Sequence, residues 1–414
     1  MRRVAVTGLG VVSPIGVGGG TFWDSLEAGR SGIGRISRFD CTTFTAQLAA
    51  EVKTSLDVPD EIAEVAAQDP KVGFAYAACA EALTDAGMRG LTRDCLLHLG
   101  TSLEVFDLSR VIRQGQPDFR AVFDRPSGNK RLGFQMPLDT AAAMIAETLG
   151  APGQSLTNCS ACAAGAQAIG HGFRNVRRGK WEIAVCGGFD SLINPLGVGG
   201  FQLLGALTTD NDRGETACRP FDASRSGVVL GEGAAVFVLE PLEKAVAEGR
   251  RVLAEVCGYG STLDAYNLSA PDPGGEGAER SMMSALADAG LEPEAIGHIN
   301  AHGTGTRLND QVEAGAIRRV FRNCWPRIPV SATKSVTGHL IAAAGAVEMA
   351  ACLLALIRNR IPPNPSLSKV GEGCELSHAT GQATPFDGEY ALSNSFGFGG
   401  QNVTLILRRY DGQH

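Results

Sequence analysis

Residues 82–87 (ALTDAG) decide the fold, because the chain repeats them 203 residues later as residues 285–290 (ALADAG). Each copy ends an apolar helical pattern at a glycine, which is typical of a helix C-terminus. The same offset aligns residues 100–101 (GT) with residues 303–304 (GT). A helix, its stop, a loop and the end of a strand are therefore predicted to recur in register, which indicates two similar α/β halves.

A second echo relates residues 163–166 (AAGA) to residues 343–346 (AAGA), at an offset of 180. Because the two offsets differ, we expect loops of different length in the two halves. Chance similarity in a chain this rich in alanine and glycine is the competing explanation. Strand patterns such as 181–186 alternate with helix patterns along the chain, as in layered α/β folds. We expect residues 1–250 and residues 251–414 to form the two halves.

The composition excludes several classes of protein. The formal net charge is −7 and no long basic run is present, so a nucleic-acid partner is not expected. Eleven cysteines without paired spacing favour reduced thiols in a cytoplasmic protein. The longest apolar segment, about residues 340–357, contains Glu348 and is short for a membrane span. A protein without a membrane segment is therefore predicted.

Residues 154–166 (QSLTNCSACAAGA) predict a strand, a sharp elbow and a helix of small residues, with Cys162 at the elbow. Free backbone N–H groups and the helix dipole favour a thiolate there, so we expect a lowered pKa for Cys162. A buried structural cysteine is the plain alternative. Cys159 and Cys162 spell Cys-x-x-Cys, but no second ligand pair with suitable spacing follows, so no metal site is expected. Residues 8–13 (GLGVVS) lack the third glycine of a dinucleotide fingerprint, so no nicotinamide or flavin is expected.

Two of the seven histidines lie at glycine-flanked junctions between predicted elements. His302 ends an apolar strand and precedes residues 303–306 (GTGT), and His339 begins an apolar helix five residues after Lys334. One such histidine would more often be structural, but two of them together with a cysteine elbow favour a catalytic site. Residues 394–402 (NSFGFGGQN) place aromatic side chains among glycines, which is typical either of a mobile loop or of an ordinary turn with two core phenylalanines.

These motifs resemble the ketosynthase family, and most closely its type II elongating β-ketoacyl-carrier-protein synthases. The resemblance rests on the cysteine elbow and on residues 300–306 (NAHGTGT), 333–339 (TKSVTGH) and 394–400 (NSFGFGG). It implies a thiolase fold of five layers, αβαβα, usually in a dimer. It also implies an acyltransferase without a cofactor, whose substrates arrive on the phosphopantetheine of an acyl carrier protein.

The resemblance also implies roles for the site residues. Cys162 would accept an acyl group, and a malonyl-carrier thioester would then lose carbon dioxide to give the carbanion that attacks the acyl-Cys. His302 and His339 would stabilise the enolate oxygen. The backbone N–H groups of Cys162 and Phe398 would hold the oxyanion formed at the acyl carbonyl.

The remaining site residues would either stabilise the arrangement of the active site or contact the substrate. Lys334 would pair with a carboxylate, for which Glu348 is the first choice and Glu313 the second. Asp310 precedes Glu313 by three residues and would share its helical face or begin that helix. Five further side chains would contact the substrate, with Thr304 and Thr306 on the pantetheine arm and Phe201, Phe398 and Leu103 at the acyl pocket.

Residues 101–107 (TSLEVFD) replace a glycine-rich segment of the housekeeping enzymes. That region lines the acyl pocket near the dimer interface, and Leu103 lies in it. Residues 303–306 (GTGT) are also a form common in polyketide synthases. These features favour polyketide or polyene biosynthesis, with fatty-acid biosynthesis as the alternative.

Two rival functions differ in their expected residues. A biosynthetic thiolase would carry a second cysteine in the C-terminal loop, where this chain has Phe396 and Phe398. A chain-length factor, the non-catalytic partner in a ketosynthase heterodimer, usually lacks the nucleophile, which is present here as Cys162. We therefore expect the active subunit of a homodimer, or of a heterodimer with a ketosynthase-like subunit.

The carrier-binding surface is expected to differ from that of the housekeeping enzymes. Residues 66–71 (AAQDPK) leave Lys71 as their only cation, and Asp210 stands where an arginine is typical. We expect a dedicated carrier protein. Either a displaced basic patch of this chain or a partner subunit would bind it. The residues of that patch would be Arg125, Lys130 and Arg131.

Overall fold

The computed structural model describes residues 1–106, 112–113, 116–117 and 135–412. The three residues predicted to form a displaced basic patch lie outside this part of the chain, and they are Arg125, Lys130 and Arg131.

The chain alternates strands and helices throughout its described length. The strands are β1 (Val4–Ser13), β2 (Gly16–Val17), β3 (Ile33–Arg35), β4 (Leu48–Ala50), β5 (Cys95–Gly100), β6 (Val105–Phe106), β7 (Ile112–Arg113), β8 (Gln116–Pro117), β9 (Gln135–Met136), β10 (Gln154–Asn158), β11 (Ile183–Asp190), β12 (Leu230–Gly231), β13 (Gly233–Pro241), β14 (Ala254–Leu263), β15 (Ile296–Asn300), β16 (Pro329–Ser331), β17 (Arg360–Ile361), β18 (Ser377–His378), β19 (Thr384–Pro385), β20 (Tyr390–Gly397) and β21 (Gln401–Arg408). The α-helices are α1 (Gly19–Glu27), α2 (Asp60–Ala66), α3 (Pro70–Asp85), α4 (Thr140–Leu149), α5 (Ala164–Arg177), α6 (Pro195–Leu203), α7 (Leu242–Ala247), α8 (Glu276–Ala289), α9 (Arg307–Phe321), α10 (Lys334–Thr337) and α11 (Ala344–Arg358). Short 3₁₀ turns include Ala161–Ala163 before α5 and Ile341–Ala343 before α11.

One large sheet runs through the molecule in the order β10-β5-β11-β13-β1-β14-β21-β20-β15-β16-β18. The order β10-β5-β11-β13-β1 in the first half is repeated as β16-β15-β20-β21-β14 in the second. In both halves the first three strands pair in parallel, and the fourth strand pairs antiparallel with both the third and the fifth. This repeat confirms the duplication predicted from the sequence.

Five layers of helix and sheet follow from this duplication. Helix α3 packs outside β1 and β13, and α8, with α9 against it, packs outside β14 and β21. Helices α5 and α11 lie between the two halves of the sheet and contact strands of both. The fold is therefore the αβαβα thiolase fold that was expected.

The central layer explains why small residues recur before both inner helices. A Cβ atom built on Gly165 would lie 3.1 Å from Cβ of Ala346, and one built on Gly345 would lie 2.8 Å from Cβ of Ala166. The two AAGA segments thus face each other where α5 and α11 meet. The apolar segment Ile341–Arg358 is 89% buried there, as a core helix is.

The glycines of residues 8–13 serve close packing. A Cβ atom on Gly8 would lie 2.1 Å from the carbonyl oxygen of Ala82, and one on Gly10 would lie 1.9 Å from that of Ala78. Side chains at these positions would therefore push α3 away from β1.

The predicted register of the repeat is correct for the helices and wrong for the strands. Helices α3 and α8 are followed by Gly87 and Gly290, 203 residues apart, with φ of 67° and 68°. Beyond them, Thr101 N–H donates to Asn158 O (3.0 Å), and Ala301 N–H donates to Ser331 O (2.9 Å). Thr101 is therefore equivalent to Ala301, 200 residues on, because the helix-to-strand loop is three residues shorter in the second half.

Candidate active site

Cys162 lies in the turn between β10 and α5, where the preceding Ala161 has a positive φ of 48°. Its side chain is buried and lines a cavity of about 440 Å³. The same cavity is lined by both predicted histidines, both predicted threonines and both predicted gating phenylalanines, which are His302, His339, Thr304, Thr306, Phe201 and Phe398. Motifs that are far apart in the sequence therefore meet at one cavity.

The two histidines come from neighbouring strand ends of the second half. His302 follows β15, and His339 follows β16 after the short helix α10. Parallel strands end at the same edge of a sheet, so the segments that follow them meet there. The two imidazole rings lie 5.2 Å apart, centre to centre, and are nearly perpendicular.

Hydrogen bonds fix the tautomer of each imidazole. Lys334 Nζ lies 3.2 Å from His302 Nδ1, and Ile341 N–H donates to His339 Nδ1 at 3.1 Å. An ammonium and an amide N–H are donors only, so both Nδ1 atoms accept and both Nε2 atoms carry the proton. Burial lowers the pKa of both histidines well below 6.5, and the charge of Lys334 lowers it further. Both rings are therefore neutral hydrogen-bond donors.

Lys334 and two glutamates hold the segment around His302. Lys334 pairs with Glu348, its first predicted partner, and donates to His302 O at 2.6 Å. Glu313 accepts instead from His302 N–H (2.7 Å) and Gly303 N–H (2.8 Å). Burial raises the pKa of both carboxyl groups, and the nearby Lys334 charge opposes that rise. The buried charges are thus paired or hydrogen-bonded, as burial requires.

The Cys162 thiol is less acidic than the sequence predicted. Burial raises the pKa of the Cys162 thiol to about 11, although the Phe398 N–H group and the charge of Lys334 lower it. The predicted lowered pKa is therefore wrong. The turn is enclosed by apolar side chains such as Phe201 and Ile341, and the loss of hydration outweighs the helix terminus.

Family models cover both halves of the chain. Residues 1–245 match the N-terminal domain of β-ketoacyl synthase, and residues 253–368 match its C-terminal domain. The chain belongs to the β-ketoacyl synthase family. It is 38% identical to 3-oxoacyl-[acyl-carrier-protein] synthase 2 of Synechocystis sp. over 420 aligned positions, which cover 99% of this chain and 98% of that protein.

Solved ketosynthase structures share the whole fold of this synthase. The ishigamide ketosynthase/chain length factor superposes with a TM-score of 0.87 at 35% identity, covering 99% of each chain. The AntDE:AntF complex, a type II polyketide synthase carrier protein with its ketosynthase, superposes with a TM-score of 0.88 at 29% identity. That match covers 99% of the synthase and 100% of the AntDE:AntF chain.

The threonine loop of the synthase is held from behind by Asp310, which shares α9 with Glu313 as expected. Asp310 accepts from Thr304 N–H (3.1 Å) and Gly305 N–H (3.2 Å). The hydroxyl groups of Thr304 and Thr306 lie 2.9 Å apart at the cavity wall. The loop therefore presents hydroxyl groups to whatever enters the cavity.

Leu103 and Lys71 lie elsewhere than expected. The Leu103 side chain is 55% exposed and does not line the cavity. Lys71 is buried, so it cannot serve as a surface cation for a carrier, and its Nζ donates to Leu103 O at 2.5 Å. Lys71 also pairs with the buried Asp69 at 3.4 Å. The sequence predicted Lys71 among the residues of the carrier-binding surface, and its burial in α3 removes it from that surface.

Sequence reasoning also missed Asp190, at the end of β11. This carboxylate is fully buried and accepts from Ala342 N–H (3.0 Å) and Ser191 N–H (3.0 Å). An aspartate that ends an otherwise apolar run, residues 183–190, was the available signal. Its partner Ala342 is distant in the sequence, so its contact could not be predicted.

Proposed function

We propose that this synthase joins an acyl group to a malonyl unit by decarboxylative Claisen condensation. The Cys162 thiol attacks an acyl-carrier thioester, the carrier leaves as its thiol, and an acyl-Cys remains. A malonyl-carrier thioester then loses carbon dioxide, and its electron pair forms an enolate. The enolate carbon attacks the acyl-Cys carbonyl, and the Cys162 sulfur leaves to give a β-ketoacyl-carrier product.

The observation that carries this proposal is the pair of neutral imidazoles beside Cys162. Decarboxylation places negative charge on the thioester oxygen of the malonyl unit. The Nε2–H groups of His302 and His339 are donors that can stabilise this charge, and both are held by fixed contacts at Nδ1. Because neither ring needs to lose a proton first, the donors are in place before the charge develops.

The acyl-transfer half of the reaction needs donors of its own. Attack on a thioester makes an oxyanion at its carbonyl, and the backbone N–H groups of Cys162 and Phe398 are the proposed donors. The Phe398 N–H group also lowers the pKa of the Cys162 thiol, against the larger effect of burial, which raises it. The rings of Phe201 and Phe398 lie 5.9 Å apart beside the thiol and would gate the acyl pocket.

The substrates in this proposal are carried on an acyl carrier protein. The cavity is lined by buried Cys162, by Thr304 and Thr306, and by Leu308, which is 59% exposed, so a pantetheine arm could enter from the surface and reach the thiol. The synthase would act in the cytoplasm and need no cofactor of its own. We assign its two halves to residues 1–250 and 251–414.

The deciding experiment uses the two partial reactions. Wild-type enzyme incubated with an acyl carrier should gain the acyl mass on Cys162 in intact-protein mass spectrometry. Addition of malonyl carrier should then remove that mass and yield a β-ketoacyl carrier. Cys162→Ala should gain no labile acyl mass, and Cys159→Ser is its matched control. Acylation of Cys162→Ala to the wild-type extent would refute the role of Cys162.

A second candidate is the active subunit of a ketosynthase heterodimer in polyketide or polyene biosynthesis. The likeness to the ishigamide ketosynthase/chain length factor, at 35% identity over the whole chain, favours it. Native mass spectrometry of the chain purified alone tests this. A stable homodimer that condenses acyl and malonyl carriers without a second subunit would refute the heterodimer.

A further inference from the structure

The duplication gives the molecule a second elbow that resembles the one at Cys162. The turns Ala161–Ala163 and Ile341–Ala343 precede the equivalent helices α5 and α11. Ala161 has φ of 48°, and Ile341, 180 residues on, has φ of 49°. A positive φ is costly for a β-branched residue and persists only where neighbouring groups hold it. Contacts with neighbouring groups must therefore hold Ile341 in this conformation.

Two consecutive amides of the second elbow contact polar side chains. Ile341 N–H donates to His339 Nδ1 at 3.1 Å, which fixes the tautomer of that imidazole. The next amide, Ala342 N–H, donates to Asp190 Oδ2 at 3.0 Å. The other oxygen, Oδ1, accepts from Ser191 N–H at 3.0 Å. Asp190 thus anchors the same turn that orients His339.

The two elbows differ at the residue that faces their amides. Asp190 is the last residue of β11, and Gly397 is the last residue of the equivalent strand β20. A Cβ atom on Gly397 would lie 3.0 Å from Cys162 N. Glycine therefore leaves the Cys162 amide free for an oxyanion, whereas at the second elbow the Asp190 carboxylate fills the corresponding place beside Ala342.

We propose that Asp190 is a positioning residue for His339. Its carboxylate anchors the strained turn through Ala342 and thereby keeps the Ile341 amide on His339 Nδ1, so that His339 Nε2–H remains the donor. Burial raises the pKa of Asp190, and the charge of Lys71 opposes that rise. The inference rests on the proposed role of His339 in decarboxylation.

The test compares Asp190→Asn with wild-type enzyme in the two partial reactions. An amide has one acceptor oxygen, so it can satisfy the amide of Ser191 or of Ala342 but not both. We expect decarboxylation of malonyl carrier to fall about tenfold or more, since a hydrogen bond to a charged group is lost. Acylation of Cys162 should not slow by more than about threefold, because the Ser191 and Ala342 amides bonded to Asp190 lie outside the first elbow. The charge of Asp190 raises the pKa of Cys162, so its loss opposes any slowing.

A second readout follows the imidazole itself. In ¹⁵N-histidine NMR spectra, the His339 signal, assigned by its absence in His339→Asn, should show an unprotonated Nδ1 in wild-type enzyme. Asp190→Asn should convert part of this signal to the Nδ1–H tautomer. Asp190→Ser, which keeps one acceptor in a smaller side chain, gives the same comparison if Asp190→Asn does not fold.

The matched control is Glu232→Gln. Glu232 is also buried and accepts from Ser191 Oγ (2.7 Å) and Val52 N–H (2.8 Å), but not from the second elbow. It should lower the melting temperature without changing the ratio of the two partial reactions. A wild-type ratio and wild-type His339 tautomer in Asp190→Asn would overturn the proposal. Failure of wild-type enzyme to decarboxylate malonyl carrier would refute the proposed function instead, since the NMR comparison needs no substrate.

Discussion

At the scale of single residues, Cys162 combines a reactive position with an unreactive resting state. Its thiol is enclosed, and its pKa of about 11 leaves it protonated near neutral pH. The thiol must therefore lose its proton as the acyl group arrives.

This state predicts how alkylation depends on pH. In a Cys159→Ser background, inactivation by iodoacetamide should rise about tenfold per pH unit up to at least pH 9.5, because only the thiolate reacts. A free cysteine, with a pKa of about 8.5, should level off above pH 9 under the same conditions. A rate that is already constant at pH 7–8 would contradict the raised pKa of Cys162.

The histidines should separate the two chemical steps. His302→Ala and His339→Ala should each lower malonyl decarboxylation by about 100-fold or more, as loss of an oxyanion donor does. Acylation of Cys162 should persist in both variants, measured by intact-protein mass spectrometry. His378→Ala is the control, because His378 bonds Cys374 O away from the cavity and should alter neither step. Full condensation by either cavity variant would refute the assigned role.

At the scale of elements, the end of β20 governs access to the Cys162 amide. Gly397 has φ of −130°, so alanine suits its backbone, and only the added methyl group, 3.0 Å from Cys162 N, is unfavourable. Gly397→Ala should therefore slow acylation by about 100-fold, the cost of one obstructed oxyanion donor, with little loss of stability.

The matched glycine is Gly20, where a Cβ atom would meet nothing within 4 Å. Gly20→Ala should acylate at the wild-type rate in the same mass-spectrometric time course. Equal rates for Gly397→Ala and Gly20→Ala would show that the Cys162 amide is not used.

The elements also show what the sequence could and could not predict. Local patterns placed Cys162 at an elbow after a strand, His302 at a strand end and His339 at a helix start. Parallel pairing of β15 and β16 brings the two histidines together, whereas Cys162 reaches them through the packing of the two halves. The position of Lys334 and His339 depends on a longer connection, since nine residues lie between Ser331 and Ile341, whereas two lie between Asn158 and Ala161 in the first half. The length of this connection can be read from the sequence. The contacts that its additional residues make depend on distant segments, so they could not be predicted.

At the scale of the whole molecule, the contacts between halves were invisible to sequence reasoning. Asp190 acts on the elbow of the other half, and Gly397 does the same in the opposite direction. The thiol pKa was also predicted wrongly for this reason. The helix terminus is a local feature, whereas the burial that outweighs it comes from segments distant in the sequence.

Overall charge bears on the choice of carrier protein. The chain has a net charge of −7, and Asp210, which pairs with Arg213 (3.3 Å) and Arg219 (3.1 Å), stands at a family position that is typically basic. Asp210→Asn should raise kcat/KM for an acidic housekeeping carrier by about threefold at low salt, because like-charge repulsion falls.

The gain should disappear at high salt, where such interactions are screened. For wild-type enzyme, one acyl group should be used more efficiently on the carrier of its own pathway than on the housekeeping carrier. Equal kcat/KM on both carriers at low and high salt would contradict a dedicated carrier.

The position of β21 has a consequence for the order of folding events. This strand, Gln401–Arg408, lies inside the sheet between β20, its neighbour along the chain, and β14, which is distant in the sequence. The central helices α5 and α11 both contact β21, so they remain partly uncovered until the strand has paired on both sides. A chain in which β21 is unpaired exposes apolar surface of this central layer, so the hairpin of β20 and β21 must join β14 before the core is closed.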